Sequence, residues 1–503
     1  MRITTRLQRA ALLAALLAPA PVAGSAWAQV PAAPSEQGAR EIVEAMRAWL
    51  GRQTADALDW SALGLRVVAD GETYRLELPF GGSYLENALK MGEGAASAVV
   101  KPLEGGRWSI VSFSLPSKLQ AEVRGSKDAA PSVMDVSIES QQTTGTYDPS
   151  LTTPSTFLTE ASGYTTAMRG PNGEQTSRIG KLKARSEWLP SGPGRVTIQG
   201  DSALEGYVSI SPLPGGEQAK VTIGRLGGET RIENFNVDGL STLLRTAFEI
   251  GAKVKAESAG NAGDSKGKGA APSGEEQKAL ATRLLVQLFG MIDGMQTDYS
   301  YDDICVEGGT MFSGSLRRFG MGLGFGAPGG KVEIKLRLAL EGLESPMIPP
   351  GPWVEFIPHK LTLTPRVGGV PKEAVLALLQ RAIDTEGQEM ADAGFALLAD
   401  HPVALAIDDL LMDIGPLRLK GAGAVDVSGP DEYSAKAELR ATGLDALIRR
   451  ANAVPELKIA APVLIFLKGI ARQDGNESVW AISYVDRKMV VNDTDLSGLM
   501  PVK

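Results

Sequence analysis

Apolar and polar residues alternate with the two-residue period of a β-strand along most of this chain, and only a few stretches carry helical spacing. The stretch Glu41 to Leu50, with Ile42, Met46 and Trp49 on one stripe, predicts a short amphipathic helix. Asp70-Gly71 then separates Leu65-Arg66-Val67-Val68 from Tyr74-Arg75-Leu76-Glu77-Leu78, which is a hairpin signal. Alternating runs follow at Trp108 to Leu115, Lys118 to Val123, Val133 to Ile138, Arg195 to Gln199, Leu204 to Ile210 and Lys220 to Ile223. Broken by Gly, Pro and Ser turns, they predict a long antiparallel sheet, a form that can leave one face free for solvent or cargo.

Residues 251–274 lose all apolar periodicity and turn to Gly, Ala, Ser and Lys, the composition of a flexible linker. Beyond them the pattern predicts a helix over Glu275 to Met295 and strands over Thr310 to Phe325, Val332 to Leu340 and Val354 to Leu363. It then predicts helices over Pro371 to Ile383 and Gln388 to Leu398, and strands over Val403 to Leu411, Leu417 to Val427 and Tyr433 to Leu439. A module repeats across the linker. An apolar strand runs into Gly239-Leu240-Ser241-Thr242-Leu243-Leu244-Arg245 and again into Gly443-Leu444-Asp445-Ala446-Leu447-Ile448-Arg449. Self-similarity of this kind points to repeated sheet-and-helix units that work through an extended surface. The predicted class is α+β: long twisted antiparallel sheets with helices packed on one face, in two halves of similar grammar, 29–250 and 275–503.

At the N-terminus, Arg2, Arg6 and Arg9 precede an apolar run from Ala10 to Ala18, and Ala26-Trp27-Ala28 has the small-x-small form of a cleavage site. Residues 1–28 therefore read as a secretory signal peptide, cleaved near Ala28, and the expected location is the periplasm. The apolar run is too short for a stable transmembrane helix, and none is predicted in the mature chain. The whole chain has a formal charge of -8. Without residues 1–28, which hold three of its 51 Lys and Arg and none of its 59 Asp and Glu, the balance is 48 minus 59, or -11. So acidic a chain argues against nucleic acid, and no large basic membrane-docking face is visible. Cys305 is the single cysteine, so no intrachain disulfide exists and stability rests on apolar burial.

Candidate chemistry is sparse. His359 and His401 each flank a proline and have no companion at metal-ligand spacing. No nucleophile elbow or phosphate loop occurs. The acidic pairs Asp302-Asp303 and Asp408-Asp409 lack calcium-loop spacing and read as solvated. Cys305 reads as a small buried hydrophobe. The alternation Gly320-Met321-Gly322-Leu323-Gly324-Phe325-Gly326 makes a strand with one bare face and one apolar face, Phe319, Met321, Leu323 and Phe325. The bland expectation is close packing against a helix, and the sharper one is a trough for an acyl chain or a partner. The stretch Ile459 to Ala471, with Leu464 and Phe466, is apolar around most of its circumference, which favours burial, with closure of a lipid groove as the functional alternative.

From Asp409 to Leu499 the order of features is specific: Met412-Asp413-Ile414-Gly415-Pro416-Leu417, the Ala437 to Leu447 strand-to-helix turn, an apolar helix, and a closing hairpin from Val479 to Asn492. This block resembles the bacterial envelope family known as domain of unknown function 2125. The resemblance implies an envelope location and supplies no catalytic residues. The reading that follows is a non-catalytic periplasmic protein without cofactor, offering an apolar groove to a lipid-like ligand or an envelope protein. Its candidate groove residues are Phe319, Met321, Leu323, Phe325, Leu464 and Phe466. A carboxylate-dependent hydrolase of an envelope glycan and an envelope assembly factor are the competing classes.

Overall fold

The computed structural model describes residues 33–53, 64–84, 89–123, 131–148, 153–170, 173–213, 216–237, 290–308, 313–346, 356–384, 388–429 and 432–497, with isolated residues between them. The expected signal peptide (1–28), the expected linker (251–274), residues 240–245 of the first repeat and most of the helix expected over 275–295 lie outside the described residues. Strands account for 67% of the structure and helices for 18%, so the fold is β-rich and antiparallel. This corrects the α+β expectation. Strands of up to 20 residues dominate, and the described helices cover local cores on them without forming a continuous helical layer over a sheet.

The chain forms two compact units: residues 1–204 with 232–275, and residues 205–231 with 276–503. In the first unit, helix α1 (Glu36–Gln53) precedes nine strands: β1 (Arg66–Asp70), β2 (Thr73–Tyr84), β3 (Leu89–Pro102), β4 (Trp108–Ser114), β5 (Lys118–Val123), β6 (Ser132–Ser137), β7 (Ser140–Asp148), β8 (Thr153–Gly170) and β9 (Gly173–Gly192). The Ser35 hydroxyl caps α1 by accepting the Gly38 amide at 3.0 Å, and the Ser35 amide donates to the Tyr74 hydroxyl at 3.1 Å. That anchors the helix over the β1–β2 hairpin. Ile42, Tyr74, Leu76, Val100, Trp108 and Tyr147 make the core beneath it. Burial, assisted by the Asp148 charge, pushes the Tyr147 phenol well above its ordinary pKa. Strands β10 (Arg195–Pro212) and β11 (Gln218–Asn236) contribute residues to both units.

The second unit continues with β12 (Gly294–Gly308), β13 (Gly314–Gly326), β14 (Lys331–Glu344), β15 (Lys360–Pro371), helices α2 (Lys372–Asp384) and α3 (Gln388–Asp400), β16 (Val403–Ile414), β17 (Leu417–Val427) and β18 (Tyr433–Thr442). It ends with α4 (Leu444–Ala453), α5 (Ala461–Gly469), β19 (Arg472–Asp474), β20 (Glu477–Val485), β21 (Lys488–Val491) and β22 (Thr494–Asp495). Each strand from β12 to β18 pairs antiparallel with the next, and β18 then pairs with β20. At a spacing of about 4.8 Å, β12 to β17 span roughly 24 Å across the strands. Helices α4 and α5 sit at one end of this meander. There Leu444, Leu447 and Leu464 pack on Leu417, Ala441, Trp480 and Val491. The Trp480 indole donates to the Leu467 carbonyl at 2.8 Å, and the Asn492 side chain donates to the carbonyls of Ile470 and Val479.

Candidate functional site

Register converts the single apolar stripe of β13 into a surface. Met295, Thr297, Tyr299 and Tyr301 of β12 lie opposite Phe325, Leu323, Met321 and Phe319, which in turn oppose Ile334, Leu336, Leu338 and Leu340 of β14. The row continues through Leu361, Leu363 and Val367 of β15, then Met412, Leu410 and Leu405 of β16, and Leu419 and Val425 of β17. Since successive side chains point to opposite faces, all of these share one side of the sheet. Tyr299, Met321, Leu323, Ile334, Val367 and Leu405 are each 37% to 45% exposed, and among the described residues no second layer covers them. A contiguous apolar sheet face left open in this way differs from the singly scattered surface apolars that need no explanation.

Two devices keep that face continuous. Asp303 (φ 55) and Gly342 (φ 68) occupy the left-handed region on either side of Arg317, and the alternation shifts there from Tyr301, Phe319 and Leu340 to Ile304, Leu316 and Leu343. In β16, Asp408 and Asp409 form a bulge in which two residues face a single Ala422, so Ile407 before it and Leu410 after it both face the apolar side. The acidic pairs are therefore structural: one marks a change of alternation and the other a bulge.

The opposite face is a ladder of ion pairs. Asp302 meets Arg318 at 2.7 Å, Arg366 meets Asp408 at 3.0 Å and Glu333 at 3.5 Å, and Lys335 reaches Asp408 at 3.1 Å. Burial raises the Asp408 carboxyl, but the hydrogen bonds from Arg366 and Lys335 together outweigh it and hold the carboxyl below its ordinary pKa. Asp408→Asn should therefore lower stability by about 1 kcal/mol at neutral pH, the scale of a networked surface pair. Because the folded-state pKa is depressed, this contribution is present above the ordinary carboxylate value of 3.8 and is lost as pH falls through the lowered one. Urea midpoints of the two proteins, separate at neutral pH, should converge in acid.

On this charged face Ala406, Ala422, Ala424 and Ala481 floor an open depression of about 720 Å³, edged by Arg366, Asp408, Lys436 and Glu438. On the apolar face, at the end nearer α4, a pocket of about 190 Å³ is lined by Leu316, Leu340, Leu343 and Leu361, with Ile357, Pro358 and His359 across it. Phe356 reaches the α4–α5 core, so the segment 356–359 closes this end of the face. The strand expected from Val354 begins only at Lys360 for that reason.

The candidate groove residues separate into two groups. Phe319, Met321, Leu323 and Phe325 lie together on the open face, between the aromatics of β12 and the leucines of β14. Leu464 belongs to the α4–α5 core and Phe466 points outward from α5, so neither joins them. Sequence reading missed the contribution of β14 to β17. The Ile334-x-Leu336-x-Leu338-x-Leu340 alternation was the available signal. The β13 glycines do not receive a helix. A Cβ on Gly322 would strike the Asp298 carboxylate, and Gly320 and Gly324 lie against Ala339 and Lys335 of the next strand. Cys305 is half-buried rather than buried, with its Sγ 3.9 Å from Glu307. His359 and His401 serve through their backbone amides, which donate to Asp413 and Leu397. Among the described residues no group of His, Cys, Asp and Glu side chains is arranged to hold a metal ion, and no helix is long and apolar enough to cross a membrane.

What the geometry defines is a β-rich protein with a two-faced antiparallel meander, charged and ion-paired on one side and apolar and open on the other. Comparison with family models, curated proteins and solved structures finds no match to this chain.

Proposed function

We propose that the protein binds an acyl-chain amphiphile on the apolar face of β12 to β17, as a periplasmic, non-catalytic member of the envelope family its C-terminal block resembles. The observation that carries this reading is the exposure of six large apolar side chains, 37% to 45% each, on one unbroken sheet face. Water against that surface is unfavourable by about 25 cal/mol per Å², a deficit a hydrocarbon chain removes without any directional bond. The small pocket walled by Leu316, Leu340 and Leu361 gives the chain terminus a closed end, while the rest of the face stays open for loading from the side. Among the described residues no polar constellation on this face specifies a headgroup, so the ligand class is defined by its hydrocarbon. Organic extraction of protein purified from its native envelope should yield stoichiometric lipid. Protein that emerges empty, and also fails to take up a fluorescent fatty acid, would sink the proposal.

A further inference from the structure

Helix α5 carries a second apolar surface, separate from the sheet face. Ala461 and Leu464 turn inward, with Leu464 in the C-terminal core, while Lys468 pairs with Asp445 of α4 at the surface. Val463, Phe466 and Leu467 recur at i, i+3 and i+4 on the outer side, where Val463 is 58% exposed and Phe466 47%, and Ile459, in the turn just before the helix, is 87% exposed. A helix apolar all round is normally buried. Here its outer half faces solvent, so the expected burial holds for the inner half only. The segment around it also departs from the charge of the chain. Between Leu444 and Arg472 stand five cations, Arg449, Arg450, Lys458, Lys468 and Arg472, against Asp445 and Glu456, a local balance of +3 in a protein of net -8. Lys458 and Arg472, both exposed, bracket the apolar stripe.

The geometry points to α5 as a membrane-docking element that inserts Val463, Phe466 and Leu467 into the interface of an anionic phospholipid bilayer while the bracketing cations meet the headgroups. An exposed apolar helix face with a cationic border has this chemistry: burial supplies the attachment and charge supplies the preference for acidic lipid. Anchored this way, the protein presents the covered end of its apolar sheet face to a lipid surface.

Flotation of the full-length protein with vesicles tests this. Wild type should co-float with phosphatidylcholine vesicles containing phosphatidylglycerol, more weakly with phosphatidylcholine alone, and more weakly again as salt is raised. Val463→Asp with Phe466→Asp should cut partitioning by at least about tenfold, because two inserted side chains are lost. Lys458→Glu with Arg472→Glu should instead abolish the preference for phosphatidylglycerol. Circular dichroism checks that each variant is folded. Wild type that stays unbound on both vesicles, or an α5 variant that partitions like wild type, would overturn the inference, as would a self-associated wild type made monomeric by the α5 changes with no vesicle binding in either. Acyl uptake on the sheet face is read with Met321 and Leu323 variants, so either reading can fail without the other.

Discussion

Met321→Asp combined with Leu323→Asp should leave the protein folded and remove its capacity to hold lipid. Both side chains are about two-fifths exposed on an open sheet face, so replacing them creates no cavity and should cost less than about 1 kcal/mol of stability. Binding responds very differently. Fully burying such a side chain contributes about 1.5–3 kcal/mol, and a ligand covers the exposed two-fifths of each, so losing two weakens acyl binding by roughly 10- to 50-fold. A carboxylate pressed against hydrocarbon is worse than an absent contact, since it must be desolvated or protonated. The measurement is a titration with a fluorescent fatty acid, beside a urea melt. Arg337→Ala, on the charged face of the adjacent strand, is the matched control and should bind as wild type does. A double variant that retains full affinity with an unchanged melt would mean that β13 does not line the site.

The local part of this arrangement is legible in the sequence. Asp70-Gly71 predicts the first hairpin, and the structure pairs Asp70 with Thr73 across it. Lys118 to Val123 and Leu417 to Val427 coincide with β5 and β17. Strands β7 to β9 escape the same reading because their alternation is written in Thr, Ser and charged residues, as in the Thr143–Thr159 and Ser140–Ser162 hydroxyl pairs. Neither chain position nor period reveals that Met321 lies beside both Tyr299 and Leu338, for register is set by pairing between strands. The helices mislead in a specific way: Pro371 to Ile383 and Gln388 to Leu398 carry real helical stripes, but helices of 9 to 18 residues at strand ends cannot coat strands this long. α5 misleads further, because an all-round apolar sequence has no signal that distinguishes its inner from its outer face.

The strand-to-helix corner of the second repeat gives the sharpest stability prediction. Gly443 ends β18 at φ 78 and its amide plane turns the chain into α4, whose first hydrogen bond runs from Leu447 to the Gly443 carbonyl at 3.1 Å. A side chain here meets two obstacles. The left-handed conformation costs an L-residue about 1–2 kcal/mol, and the added Cβ would run into the backbone carbonyl of Pro416, which no rotamer can move aside. Backbone displacement of that sort adds about 1–3 kcal/mol. Gly443→Ala should therefore destabilise the C-terminal unit by roughly 2–5 kcal/mol, a fall in Tm of about 4–20 °C at the usual 2–4 °C per kcal/mol for this size. Gly475→Ala separates the two causes, because Gly475 is also left-handed, at φ 62, but has open space around it. It should lose only the conformational part. Equal losses for the two variants would show that Pro416 yields and that crowding contributes nothing. A much larger loss at Gly443 would show that this corner holds α4, and with it Leu444 and Leu447, over the closed end of the apolar face.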